Sequence, residues 1–391
     1  MALSRIEEAP QEPDGIPGTE KHHGGTKLHN LQVLRAIAAF SVVVAHCIHE
    51  TLNLPAATQQ PAGAEAWNLG YGVDIFFVLS GFIMMHTAAR EFGKKGASLR
   101  FFLRRCARVI PLYWLLTSVL LLGSIFAPSL LSVPIGDISH VVSSYLFIPD
   151  GRGMGEIRPV LALGWTLNYE MLFYVLFALA LTMPIRPGVI WLASLMAILA
   201  LAGTMIDPHY VQIAFWTRPI ILEFLYGVFI ALIFRSGLRV GIGVALGLGA
   251  FGLLGFIRLP IAGDDATLPE FLRCGLPAAA FVLAAAIGPA LPSRRIVLWA
   301  VALGDASYSL YLVHPFLVKP MRALWVKVVG DHLPSGLLVV CSALFSVLFA
   351  LALYRFVEKP LTAGAQSLAY AFSGDAEKGP SLPRPRDAER S

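Results

Sequence analysis

One apolar segment near the N-terminus carries two ionisable side chains, Arg35 and His46, eleven residues apart. At 3.6 residues per turn this spacing is about three turns, so a helix places both on nearly the same face, about 16 Å apart along one groove. A neutral imidazole can take a proton from a hydroxyl group at physiological pH, which makes His46 the best candidate for a general base in the sequence. The alternative is a histidine that only hydrogen-bonds between packed helices.

Two carboxylates lie in other apolar segments, Asp74 near the start of one and Glu170 deep within another. Ionisable groups inside a bilayer cost on the order of 2.5 to 3.5 kcal/mol each, so each is a candidate functional residue. Asp74 could orient His46 or bind acceptor hydroxyl groups, or it could simply charge a helix N-terminus. Glu170, a candidate catalytic residue, could pair with Arg35 or polarise His46, or it could belong to a structural ion pair.

Aromatic and polar side chains in the same segments could support an acceptor. Tyr308 and Tyr311 share a helix face at i, i+3, and His314 continues that face. A hydrogen-bonded bundle interior is the alternative explanation of this stripe. The set of acceptor-binding or supporting candidates is Asp74, Tyr113, Trp165, Tyr174, Asp305, Tyr308, Tyr311 and His314.

A basic cluster contains Arg105 and Arg108 and leads into the apolar run that contains Tyr113. Guanidinium groups suit phosphates because they donate several hydrogen bonds in one plane. The alternative is an anchor that follows the positive-inside rule. The four cysteines lack CxxC spacing, and no metal site is expected.

The composition shows which elements must position these side chains. Of the 391 residues 56% are apolar and 14% charged, and the mean hydropathy is +0.68, whereas soluble domains carry about 25% charged residues. The sequence therefore predicts an all-α polytopic membrane protein with about ten transmembrane helices. The predicted spans are 31–49, 70–89, 109–127, 161–183, 188–206, 218–234, 240–257, 274–291, 297–318 and 335–354.

Basic residues collect before the first span and after the even-numbered spans, which predicts that both termini are cytoplasmic. The net charge of +5 follows from these flanking residues, so no nucleic-acid partner is expected. Residues 1–27 and 363–391 are polar and are predicted to be disordered cytoplasmic segments around a membrane-embedded domain at 28–362. The long loop 128–160 is expected to fold against the outer mouth of that domain.

In their order and loop placement, these stretches resemble the acyltransferase-3 family of bacterial membrane O-acyltransferases, in particular its exopolysaccharide O-acetyltransferase-like branch. The resemblance covers roughly residues 28–360. It rests on an Arg-x10-His motif, an Asp-x-Phe-Phe motif, an Arg-x-x-Arg motif and an aromatic segment around a glutamate, found here as Arg35 to His46, Asp74 to Phe77, Arg105 to Arg108 and Trp165 to Tyr174.

The resemblance implies an enzyme of the bacterial inner membrane that transfers an acyl group from cytoplasmic acyl-CoA to a hydroxyl group. Among the short acyl groups, acetyl is the one expected first. The implied acceptor is a cell-surface or exported polysaccharide or its lipid-linked precursor. Acetyl-CoA would be a co-substrate, with no permanently bound cofactor. The other partners would be membrane lipid and the polysaccharide-assembly machinery.

The resemblance also implies a role for each motif. Arg105 and Arg108 would hold the CoA phosphates, Arg35 would stabilise the acyl end, and His46 would deprotonate the acceptor hydroxyl group. The competing function class is a secondary transporter, because buried His, Asp, Glu and Arg side chains also mark substrate and proton pathways.

Overall fold

The computed structural model describes residues 21–52, 54, 69–126, 135–151, 157–205, 210–258, 268–330 and 333–373. These residues form helices and contain no β-strand. The helices are α1 Lys21–Thr51, α2 Gly72–Ala88, α3 Ala97–Phe126, α4 Ile138–Tyr145, α5 Trp165–Ala180, α6 Ile185–Met205, α7 Val211–Trp216, α8 Leu222–Arg235, α9 Ile242–Arg258, α10 Glu270–Arg273, α11 Gly275–Ile287, α12 Arg295–Asp305, α13 Ser307–Val313, α14 Pro315–Val328, α15 Ser335–Leu353 and α16 Lys359–Phe372. Short 3₁₀ turns precede α2, α5 and α8, and a π-helical turn, Tyr354–Glu358, joins α15 to α16.

The helices confirm an all-α membrane protein. In the described part of the chain, six are long and apolar enough to cross a membrane, and the pair α12 and α13, bent by 57°, makes a seventh candidate. Two further apolar helices, Gly72–Ala88 and Ile242–Ile257, are shorter. Together with α8, these helices coincide with the ten apolar runs, but the count of ten spans and the orientation of the termini stay predictions.

Helices α2 and α8 approach each other through glycine on both sides. A Cβ atom on Gly81 would overlap the carbonyl oxygen of Phe224, and one on Gly227 would overlap that of Val78. Small residues at membrane helix interfaces allow this close backbone approach. The contact fixes the position of α2, which carries several of the side chains described below.

Both predicted disordered segments overlap helices. Helix α1 begins at Lys21, so it includes residues 21–27, because extending an existing helix needs no new nucleation. Helix α16 includes residues 363–372 and packs along α3, with Ala369 buried, because this stretch is amphipathic. Residues 1–20 and 374–391 lie outside the described part of the chain.

Part of the loop 128–160 folds against the bundle. Its helix α4 is capped by the Asp137 side chain, which accepts a hydrogen bond from the backbone nitrogen of His140 at 2.9 Å. On α3, the Tyr113 hydroxyl donates to the Ser144 carbonyl at 3.1 Å, and Trp114 Nε1 donates to the Tyr145 carbonyl at 2.8 Å. Residues 127–134 and 152–156 lie outside the described ranges.

Candidate active site

A cavity of about 480 Å³ lies between α1, α2, α3, α5, α12 and α13. We call it the central cavity. Its size is typical of small-molecule sites. Eight of the predicted site residues line its wall: Arg35, Arg105, Arg108, Glu170, Tyr174, Asp305, Tyr308 and Tyr311. The structure therefore brings together residues that lie up to 276 positions apart in sequence.

Two arginines of α3 make one end of the cavity basic. Arg105 Nη2 donates to the Thr87 hydroxyl at 3.1 Å, and its guanidinium carbon lies 5.6 Å from the centre of the Phe101 ring. Arg108 makes no hydrogen bond or salt bridge to any residue that the structure describes. Most guanidinium donors at this end are therefore available to an anionic ligand.

Arg35 is held by a polar network. Its Nη1 donates to Gln32 Oε1 at 3.1 Å, and its Nη2 donates to the Ser307 hydroxyl at 2.9 Å. Gln32 Nε2 in turn donates to Asp305 Oδ1 at 2.6 Å. The network joins α1 to the break between α12 and α13 and fixes the guanidinium group on the cavity wall.

Glu170 receives two hydroxyl hydrogen bonds on one oxygen. The Ser80 hydroxyl donates to Oε1 at 2.8 Å, and the Tyr174 hydroxyl donates to the same oxygen at 2.5 Å. Glu170 does not pair directly with Arg35, which was one of its possible partners. The reason is local: Tyr174 lies one helical turn further along α5, and Ser80 faces Glu170 from α2, so the carboxylate already has donors.

Two tyrosines of α13 present their rings to the cavity while their hydroxyl groups are bound elsewhere. The Tyr308 hydroxyl donates to the Val109 carbonyl at 2.7 Å. The Tyr311 hydroxyl donates to the Leu163 carbonyl at 3.3 Å and lies 3.1 Å from the Thr166 hydroxyl oxygen. Both rings are therefore fixed parts of the wall.

His46 does not line the central cavity. Its ring lies 4.9 Å from that of His314, between centres, and the His314 ring lies 6.4 Å from that of Tyr311. The prediction that Arg35 and His46 line one groove was therefore wrong. Their helix and spacing are as expected, but the rings of Tyr311 and His314 lie between His46 and the cavity.

Both histidines are fixed in one tautomer. His46 Nδ1 lies 2.9 Å from the Val42 carbonyl oxygen, and His314 Nδ1 lies 3.1 Å from the Leu310 carbonyl oxygen. A carbonyl oxygen only accepts, so each Nδ1 carries the proton and each Nε2 keeps its lone pair. His314 is fully buried, and its Nε2 has no partner among the described residues. His46 is accessible at the surface of the bundle.

The family model for the acyltransferase domain matches residues 28–355 of the chain. The chain belongs to the acyltransferase-3 family of membrane O-acyltransferases. It is therefore a multi-pass protein of the bacterial inner (plasma) membrane.

Three relatives illustrate the range of this similarity. The exopolysaccharide production protein ExoZ of Rhizobium meliloti is 34% identical over 298 residues, covering 74% of this chain and 88% of ExoZ. The O-acetyltransferase OatA of Staphylococcus aureus is 27% identical over 88% of this chain and 58% of OatA. The acyltransferase MdmB of Streptomyces mycarofaciens is 24% identical over 92% and 98%. No solved structure matches the chain significantly.

Three other predicted site residues of this acyltransferase lie away from the cavity. Asp74 does not orient His46. It is buried beside Glu223, because the glycine contact between α2 and α8 brings the starts of these helices together. Tyr113 holds α4. Trp165 packs its ring edge to face against Phe77 at 6.4 Å.

The cavity also contains polar residues that were not predicted to be functional. Gln32, Ser80 and Ser307 supply hydrogen bonds to the predicted residues, and Tyr354 of the π-helical turn lines the wall. Ser80 lies six residues after Asp74 on α2, and Gln32 lies one helical turn before Arg35 on α1. Their positions near ionisable residues in the sequence were the signal that could have identified them as functional residues.

Proposed function

We propose that this acyltransferase transfers an acetyl group from acetyl-CoA to a hydroxyl group of an exported or cell-surface polysaccharide or its lipid-linked precursor. The observation that carries the proposal is the central cavity, whose wall contains Arg105 and Arg108 together with a fixed Arg35 and Glu170. ExoZ is named for exopolysaccharide production and OatA for O-acetyl transfer, and these names support a polysaccharide acceptor and an acetyl group as the group transferred.

The cavity suits the shape of acyl-CoA. Charge-assisted hydrogen bonds from Arg105 and Arg108 would hold phosphate groups at the basic end. Thr87, which bonds Arg105, lies eleven residues from Phe76 on α2, or about 16 Å along the helix. The pantetheine arm would extend along this distance, with the acyl group in front, past Arg35.

His46 would act as the general base of the transfer. Its Nε2 takes the proton of the acceptor hydroxyl group, whose oxygen attacks the thioester carbonyl carbon. The carbon–sulfur bond breaks, the ester forms, and the CoA thiolate takes the proton from the imidazolium ion. Arg35 stabilises the negative charge that develops on the carbonyl oxygen.

The position of His46 implies that donor and acceptor approach from opposite sides. The donor occupies the central cavity and the acceptor reaches the exposed His46 from the other side, so the Phe76 ring must move aside for the acceptor oxygen to meet the thioester carbon. In the predicted orientation the donor comes from the cytoplasm and the acceptor from the outer face. Polysaccharide-assembly proteins would deliver the acceptor there.

The test is acetyl transfer from radiolabelled acetyl-CoA into glycans, using membranes that contain wild-type protein, His46→Ala or the double variant Arg105→Ala/Arg108→Ala. We expect label with wild type and none with either variant. Arg104→Ala is the matched control for the arginines, because Arg104 does not line the cavity, and His49→Ala is the control for His46, because it removes the next histidine of the same helix; both should keep transfer. Near-normal transfer by His46→Ala would contradict the base assignment, and absence of label with wild type would contradict the proposed donor and acceptor.

A further inference from the structure

We propose that Phe76 and Tyr311 set the length of the acyl group that this acyltransferase accepts, because their rings form the wall that closes the central cavity on the side of His46. The inference rests on the proposed acyl-CoA-dependent function. It goes beyond that function by identifying the two side chains that contact the end of the acyl chain.

The two rings lie toward the end of the cavity opposite Arg105, where Val73, one turn beyond Phe76, is the last residue of α2 in the lining. Thr87 and Arg105 mark the basic end, and Phe76 is about 16 Å away along α2. Phosphates held at the basic end direct the thioester, at the tip of the pantetheine arm, toward Phe76. The terminal carbon of the acyl group therefore reaches this wall before any other part of the donor.

The rings of this wall contact one another. The Phe76 and Tyr311 rings pack edge to face with their centres 6.1 Å apart, and the Tyr311 ring packs in turn against His314. Phe76 also contacts both the main apolar core and the smaller apolar cluster that contains Cys47, the neighbour of His46. It thus lies at the border between the donor cavity and the surroundings of the base.

The two rings differ in how freely they can move. Tyr311 is 7% exposed, and its hydroxyl group is held by Leu163 and Thr166, so its ring position is fixed. Phe76 is only partly buried and has no polar group to anchor it. Each added methylene group of a longer acyl chain must displace the Phe76 ring, because the fixed Tyr311 cannot yield.

Changing Phe76 should therefore change chain-length preference in both directions. Burying a methylene group is worth about a factor of four in affinity, so two added methylene groups are worth about tenfold or more. We expect Phe76→Ala to improve binding of butanoyl-CoA relative to acetyl-CoA by about tenfold. Phe76→Trp should shift the ratio the opposite way, already with propanoyl-CoA.

The experiment measures displacement of radiolabelled acetyl-CoA by unlabelled acetyl-, propanoyl- and butanoyl-CoA on the full chain in lipid nanodiscs. This readout needs no acceptor glycan. Phe173→Ala is the matched control: Phe173 is a buried phenylalanine that stacks on Phe224 at 4.5 Å and does not line the cavity. Its length preference should equal that of wild type. If Phe76→Ala does not fold, Phe76→Leu makes the same comparison, with a smaller change of the same sign.

The outcomes separate this inference from the proposed function. Wild-type protein that binds acetyl-CoA, with an equal length preference in wild type and all Phe76 variants, would overturn the role of the wall and leave the proposed donor intact. A shift as large in Phe173→Ala as in Phe76→Ala would also overturn it, because general loosening would then be the cause. Wild-type protein that binds none of the three donors would remove both proposals together.

Discussion

Removing either hydroxyl group that bonds Glu170 should slow acyl transfer by a measurable and bounded amount. Of the two bonds to Oε1, the 2.5 Å bond from Tyr174 has the short length of a charge-assisted hydrogen bond, and the 2.8 Å bond from Ser80 has the ordinary length of a hydroxyl hydrogen bond. Hydrogen bonds to charged groups contribute about 1.5 to 3 kcal/mol. If the transition state needs Glu170 in this orientation, Tyr174→Phe and Ser80→Ala should each reduce the rate by about 10- to 150-fold.

The assay is the initial rate of label transfer from acetyl-CoA at saturating donor concentration. Because both donors bond one oxygen of one side chain, the double variant Ser80→Ala/Tyr174→Phe should reach the rate of Glu170→Ala and go no lower. Tyr226→Phe is the matched control, since its hydroxyl group donates to the Phe271 carbonyl at 3.2 Å and lies outside the cavity. It should keep the wild-type rate.

Two results would refute this reasoning. Wild-type rates in both single variants would show that transfer does not depend on how Glu170 is held. A double variant clearly slower than Glu170→Ala would show that the hydroxyl groups act on something other than Glu170.

Three further predictions concern the base, the donor site and the packing. His46→Ala should lose transfer but bind acetyl-CoA, measured by displacement, within about twofold of wild type. The reason is that His46 lies outside the donor cavity. A large loss of affinity would instead place His46 in the donor site. Arg108→Ala should weaken acetyl-CoA binding by about 10- to 150-fold. It should leave the binding of S-acetylpantetheine unchanged, because that fragment lacks the CoA phosphates that Arg108 would bind. Equal losses of affinity for both ligands would contradict the phosphate role. Gly227→Ala should lower the free energy of unfolding by about 1 to 3 kcal/mol, because its Cβ overlaps the Val78 carbonyl group. Thermal unfolding in detergent checks this, with Gly243→Ala as control because nothing lies within 4 Å of its Cβ position; equal melting temperatures would contradict the packing argument.

Relations within one helix could be predicted from the sequence, whereas contacts between helices could not. Tyr174 bonds Glu170 one turn away, as i, i+4 spacing allows. The Ser80 bond to Glu170 joins residues 90 positions apart, and the Gln32 bond to Asp305 joins residues 273 apart. Hydropathy specifies that such segments are helices, but the rotation of each helix about its axis depends on packing with all its neighbours. This is why the class of fold and eight residues of the cavity wall were predicted, while the hydrogen-bond partners were not.

Asp74 is a second residue whose contact with another helix could not be predicted from the sequence. Its position at the start of an apolar helix is correct, yet it lies beside Glu223 of α8 and not beside His46. The outcome depends on Gly81 and Gly227, whose contacts bring α2 against α8 and fix the face that α2 turns toward α1. The sequence does not show which two glycines on distant segments will meet, so sequence spacing alone could not identify Glu223 as the neighbour of Asp74.

Helix drift and the break between α12 and α13 together explain why one polar stripe divides between two environments. In a straight helix, positions three residues apart drift by about 60° per step, so Asp305 and His314 would already face different sides. The 57° bend at Ala306 adds to this divergence: Asp305 bonds Gln32 of α1, while His314 contacts the His46 ring. Broken helices are tolerated at membrane depth where the freed backbone faces a cavity rather than lipid, and this break adjoins the central cavity. The bent helix pair therefore carries polar residues of the donor cavity, Asp305 and Ser307, before Tyr311. After Tyr311 it carries His314, the neighbour of the proposed base His46.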